Sequence, residues 1–132
     1  MKIPISVDIE DEVRQALSPY ITTYCRPLPK DFAKPCILVT KVGGNDANTI
    51  DRFLVSLDSR ADTEAEADQT LRKAIGILKE IAALQTTVLR HITVNSSGSW
   101  GTDPVRPDIC MCTATLEVIA HQTTMEVKYG NT

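Results

Sequence analysis

One continuous block, from Cys36 to Leu84, narrows the choice of fold more than any other part of the chain. It opens on PCILVTKVGG, nearly all apolar or β-branched from Cys36 to Val42, which is the pattern of a central strand covered on both faces. Gly43, Gly44, Asn45 and Asp46 follow, all turn formers that accept positive φ. A second strand is expected from near Asp51, giving an antiparallel hairpin with a longer loop. Between Arg52 and Arg60, Phe53, Val55 and Leu57 alternate with Ser56, Asp58 and Arg60, so one face is buried and the other wet. ADTEAEAD then opens a long amphipathic helix. Thr63 with Glu66 three residues later fits a capping box, and Ala67, Leu71, Ala74, Ile75, Leu78, Ile81 and Ala82 recur at helical spacing behind it. A strand, a Gly-Gly loop, a strand and a capped helix in this order call for a sheet with a helix laid across it.

The flanking segments extend that plan. Asp8 caps a first helix whose opening turn, Glu10, Asp11 and Glu12, suits the positive end of the helix dipole. Ile9, Val13, Ala16, Leu17 and Tyr20 form its apolar stripe, and Pro19 ends it near Ser18. Ile21 to Arg26, rich in Thr and Tyr, reads as a strand. Pro27, Pro29 and Pro35 then interrupt any ladder and leave Phe32 to anchor the loop against the core. Downstream, Val88, Ile92 and Val94 alternate in a strand with His91 beside Leu89 on its opposite face. Asn95 to Asp108, NSSGSWGTDPVRPD, reads as a long polar loop carrying the single tryptophan, Trp100. A loop of that length in a compact domain is commonly functional. Trp100 has two readings there, folded back on the core or projecting as an anchor for a partner. Ile109 to His121 places Cys110, Cys112, Ala114, Leu116, Val118 and Ala120 on one face of a strand. At about 43 Å when extended, it is long enough for one end to pass beyond the sheet and pair elsewhere. Residues 122–132 are expected to be a flexible tail or a strand ordered only in an assembly. The whole, 1–132 with a core over 8–121, is one α+β domain of order α-β-β-β-α-β-β. Its sheet is mixed, mainly antiparallel and of about five strands, with two helices packed on one face.

Composition removes several functional classes. With 14 Lys and Arg against 17 Asp and Glu, a formal charge of −3, the chain lacks the basic excess that condenses on nucleic acid or anionic lipid. Met1 to Ser6 is too short for a signal-peptide core, and no apolar run reaches bilayer length, so a soluble protein made in the cytoplasm is expected. Cys25, Cys36, Cys110 and Cys112 contain no C-x-x-C pair, and reduced thiols are the simplest reading. A zinc site joining Cys110 and Cys112 to His91 or His121 lacks the knuckle spacing that makes such sites recognisable. Gly43-Gly44 opens into a strand, whereas a phosphate loop opens into a helix with lysine in its first turn. Asp62, Glu64, Glu66 and Asp68 cluster where a helix start needs negative charge. No catalytic, metal or cofactor residue is assigned. A small enzyme using His91, His121 or Cys25 is the alternative of a different class, and it requires those groups to converge in one pocket.

Over residues 8 to 121, several features come in a characteristic order. They are the acidic first helix, the proline-bearing approach to PCILVTKVGG, the strand DRFLVSLDSR, the helix opening ADTEAEAD and the long loop with an aromatic before a final strand. Together they resemble the siphophage tail terminator proteins, the tail-completion and head-tail joining family. WGTDPVRPD is longer than the proline turn common at that point in the family. The resemblance implies a subunit of a hexameric ring that caps the tail tube, stops its polymerisation and meets the head connector. It places the protein at the tail-neck junction of the virion, after assembly in the host cytoplasm. Its partners would be further copies of itself, the tail tube protein and the head-tail connector protein, with DNA passing through the lumen without sequence-specific contact. It implies no reaction and no cofactor. A head-completion or connector protein of the neck would share these features. Contacts are expected from two loops, Gly43 to Ile50 and the one bearing Trp100. The candidate interface residues are Gly43, Gly44, Asn45, Asp46, Arg52, Trp100 and Arg106, with Arg52 and Arg106 as charge partners.

Overall fold

Alternation in the strands and periodicity in the helices converge on a single buried layer. The computed structural model of the protein describes residues 1–47 and 50–130. The elements are β1 (Lys2–Ile5), α1 (Ile9–Leu17), β2 (Thr23–Cys25), β3 (Cys36–Ala47), β4 (Ile50–Ala61), α2 (Glu64–Leu84), β5 (Leu89–Thr102), β6 (Cys110–His121) and β7 (Thr123–Glu126). Five strands form one sheet in the order β2-β3-β4-β6-β5, with β2 parallel to β3 and the other pairs antiparallel. One alternating set from each strand, among them Ile37, Val39, Val55, Leu57, Ala114, Leu116 and Val118, is buried against Val13 and Leu17 of α1 and Leu71, Ala74 and Leu78 of α2. The protein is thus a single α+β domain whose mixed, mainly antiparallel sheet carries both helices on one face.

Local chemistry fixes where each helix begins and ends. The Asp8 carboxylate accepts from the Asp11 amide at 3.3 Å, and α1 closes at Ser18, just before Pro19. Thr63 Oγ1 accepts from the Glu66 amide at 3.2 Å, and α2 closes on Gln85 in the left-handed region at φ 57°. The first turn of α2 is held down on the sheet by the Ser59 hydroxyl, which donates to the Ala67 carbonyl at 2.7 Å. Among the described residues, no helix lies on the opposite sheet face. There Asp58 accepts from the Thr113 hydroxyl at 2.9 Å, and Arg52 pairs with Glu117 at 3.3 Å.

Several expectations are corrected. Gly43, Gly44, Asn45 and Asp46 are not a loop: β3 runs on through them and pairs with β4 out to Ala47 opposite Ile50. The connection itself, residues 48–49, lies outside the described residues. The register shifts between Lys41 and Gly43, a bulge, and Gly44 adopts φ 140° where a Cβ would come within 2.3 Å of the Arg52 carbonyl oxygen. These glycines serve a bulge and a close backbone approach, the other reason for glycine within a strand. Most of the presumed Asn95–Asp108 loop is likewise strand, because β5 continues to Thr102 through shifts at Leu89/His91, Val94/Ser96 and Ser96/Ser99. Each shift spends an extra polar or small residue, which erases the alternation a reader looks for. The first of them also returns Leu89 to the core while His91 stays exposed, so the two are not on one face.

β6 does not pass beyond the sheet, since it pairs with β4 along its whole length, from Ile50 opposite His121 to Ala61 opposite Cys110. β2 is confined to Thr23–Cys25 within the expected Ile21 to Arg26. The C-terminal segment, expected to be a flexible or assembly-ordered tail, pairs within the chain: β7 lies antiparallel to β1, with Ile3 opposite Met125 and Ile5 opposite Thr123. Residues 131–132 of that tail lie outside the described residues.

Gly44→Ala should lower stability by more than about 1 kcal/mol, because positive φ and the nearby carbonyl both oppose a side chain. Gly76→Ala, on the exposed side of α2 with nothing within 4 Å of the added methyl, should raise it by about 0.5–1 kcal/mol. Urea unfolding of the two variants reads both signs.

Candidate functional site

The most elaborately bonded place in the molecule lies at the end of the sheet where β4 finishes and β6 begins. Arg60, the penultimate residue of β4, donates from Nε to Asp103 Oδ2 at 2.7 Å, with the two side chains only 7 % and 6 % exposed. The other Asp103 oxygen accepts from the amides of Val105 and Arg106, each at 2.9 Å. The Asp103 amide donates to the Ile109 carbonyl, and the Ile109 amide to that of Arg106, each at 3.0 Å. A single carboxylate therefore folds the 103–109 segment around itself, the behaviour of an aspartate that mimics a backbone turn. Burial pushes the Asp103 carboxyl up. The hydrogen bond from Arg60 and the two amides outweigh it, and the group is held below its ordinary value.

Phe32 lies beneath this loop, with the Arg60 guanidinium 6.0 Å and the Arg106 guanidinium 5.8 Å from its ring centre. Phe32 also packs with Cys36 and Ile109, and Tyr24 and Leu28 close the cluster. The Cys36 thiol is pushed up to about 11 by burial, against the pull of Arg60 and with a further push from Asp103. Above the ring opens a cleft of about 490 Å³, bounded by Leu28, Pro29, Phe32, Val105 and the two arginines.

At the far end of the sheet, Gly43, Gly44 and Asn45 of β3 border Arg52, whose guanidinium is exposed and paired with Glu117. Asp46 stands in register with Asp51. The Asp51 side chain is buried, accepting from Gln122 Nε2 at 2.9 Å through one oxygen. Its other oxygen has no partner among the described residues. Arg52 and Arg60 stand eight residues apart on one strand, about 27 Å at ~3.4 Å per residue. The seven candidate residues therefore divide into two groups. Gly43, Gly44, Asn45, Asp46 and Arg52 gather at one end of the sheet; Trp100, in register with Cys112, and Arg106 lie toward the other. Trp100 is 50 % exposed on β5, the outer strand of the sheet, so it is not a core residue.

Of the groups named for the enzyme alternative, Cys25 lies apart from the two histidines, which stand on neighbouring strands with His91 in register with Ile119. His91 is exposed on β5 and His121 ends β6, whereas Cys25 sits on β2 at the opposite edge with its thiol 3.3 Å from the Glu10 carbonyl. Four strand spacings separate β2 from β5, about 19 Å. All four cysteines are free thiols. Among the described residues no three His, Cys, Asp or Glu side chains are grouped as a metal ion would need, and no helix is long and apolar enough to cross a membrane.

The Arg60–Asp103 pair is what sequence reasoning missed. Arg60 reads as the wet member of an alternating strand, and Asp103 as one residue of a polar loop. The available signal was Asp-Pro at 103–104, a turn-opening dipeptide. Compared with known proteins, the chain matches no family model and no curated protein.

Asp103→Ala should cost about 3–5 kcal/mol, because it strands a buried guanidinium. The carboxyl is held low in the folded state, so its contribution is present above the unfolded value of about 3.9 and is lost as pH falls toward the folded value. Unfolding midpoints measured downward from about pH 5 should therefore fall more steeply in the wild type than in Asp103→Asn. Separately, thiol labelling near pH 8 should reach Cys25 and Cys110 in the folded protein, while the buried Cys36 and Cys112 should react only after denaturation.

Proposed function

We propose that the chain is a structural protein of a siphophage virion, the tail terminator that closes a ring on the last turn of the tail tube and joins it to the head connector. The observation that carries the reading is the outer strand β5. It spans Leu89–Thr102, pairs on one side with β6, and holds a half-exposed tryptophan near its end. A long open edge with an exposed aromatic is a liability in a lone subunit and a contact in an assembly. Opposite it the sheet ends in the short, parallel β2. Unlike edges favour head-to-tail contacts, and such contacts close into rings when the rotation per subunit divides the circle.

The order of helices and strands from the first helix to the last long strand supports the reading, although Trp100 lies on β5 and not in the loop that follows it. Capping by such a ring is differential binding: one side matches the tube, while the other offers no surface on which a further tube ring could grow. The two groups of candidate residues, at opposite ends of the sheet, suit a subunit that touches different partners at its two ends.

Native mass spectrometry of the purified chain, alone and mixed with tube protein from the same genome, tests the reading. A hexamer, or a monomer that assembles only on tube ends, is expected; a monomer indifferent to tubes overturns it. Trp100→Ala should weaken subunit association roughly 30-fold, the loss typical of a central tryptophan anchor. Unchanged oligomer mass and unchanged tube capping remove Trp100 from the interface.

A further inference from the structure

We infer that the cleft above Phe32 is a docking site for an acidic, apolar segment of another protein, one whose Asp or Glu carboxylate lies against Arg106 and Arg60. The inference stands on the cleft alone and does not depend on the terminator reading.

Charge gives the first reason. The chain as a whole is at −3. The cleft walls nevertheless combine three cations, Lys30, Arg60 and Arg106, with one anion, Asp103, a local balance of +2. The basic residues are therefore concentrated against the sign of the whole molecule, and in a concave site such a concentration focuses the field on an arriving anion.

Arg60 gives the second. It forms part of the cleft wall, its guanidinium is fixed through Nε by Asp103, and its Nη1 is buried with no acceptor among the described residues. Uncommitted donors on a buried guanidinium are costly, and a carboxylate is the group that matches their geometry. Arg106, by contrast, is accessible, and its own carboxylate neighbour, Asp108, is distant at 3.9 Å and largely exposed. So weak a pairing leaves Arg106 available for exchange.

The remaining walls state what surrounds the carboxylate. Leu28, Pro29, Pro104 and Val105 are apolar, and Val105 is 87 % exposed at the rim. A phosphate chain would leave these side chains unmatched, and a lone small acid would leave most of the cleft empty. An extended segment with aliphatic residues or proline beside its carboxylate matches both parts. The receiving loop is already ordered by the hydrogen bonds to Asp103, so binding does not require it to be immobilised.

The test is an array of random heptapeptides probed with the intact chain, followed by fluorescence-anisotropy titration of the strongest binders. Bound peptides are expected to carry Asp or Glu next to Leu, Ile, Val or Pro. Exchanging that Glu for Gln should weaken binding about 10-fold or more, as loss of a charge-assisted hydrogen bond does. Two variants at exposed or half-exposed positions probe the site without touching the buried pair: Arg106→Ala should weaken binding by a similar factor, and Val105→Asp should do so by repulsion. Peptides without acidic enrichment, or wild-type affinity in both variants, overturn the inference. So does tighter binding of oligo(dT) than of any peptide, which would assign the positive charge to a polyanion.

Discussion

The five-stranded sheet takes its register from the antiparallel pairing of β4 with β6 at its centre. The ladder is continuous from Ile50 opposite His121 to Ala61 opposite Cys110. Because side chains alternate strictly along a strand, this one register decides that Val55, Leu57, Leu116 and Val118 face the helices together and that Ser56, Asp58, Thr115 and Glu117 face away. The two outer neighbours tolerate irregularity because the centre does not: β3 and β5 both bulge where they leave the common register, and the core closes regardless.

That division explains how much could be read from the chain. β4, α2 and β6 are legible because burial on one side writes a clean period into them, and Asp8, Thr63 and Pro19 mark helix ends by local hydrogen bonding or steric exclusion. Where a bulge intervenes the period breaks. Gly43 and Gly44, and Ser96 to Ser99, then resemble turns although the strands stay paired on both sides of each irregularity. A propensity for positive φ serves a turn and a bulge equally, so composition alone does not separate them.

The candidate site was less legible for a different reason. Arg60 and Asp103 are 43 residues apart and belong to segments whose local patterns are unremarkable, one a wet strand position and the other a polar connection. Their partnership is created by tertiary placement: the loop after β5 folds back over the end of β4, and burial then makes the pair far more consequential than either residue would be at the surface. The two sheet ends, read in sequence as two similar loops, are physically unlike. One is a hairpin held by backbone pairing, and the other is a loop platform organised by a buried ion pair over an aromatic ring.

The β1–β7 ribbon joins the two extremes of the described chain, with the Met1 ammonium 3.1 Å from Glu126 and 2.8 Å from the Val127 carbonyl. Its first strand is therefore synthesised long before its antiparallel neighbour β7 exists. Throughout that interval β1 is an unsatisfied strand tethered to a domain assembling beside it, and its completion closes a chain loop of roughly 120 residues, a separation whose entropic cost grows only with the logarithm of its length. The ribbon is accordingly a seam sewn only after β6 has been made, and because its two strands form a sheet of their own, parting them breaks no pairing in the larger sheet.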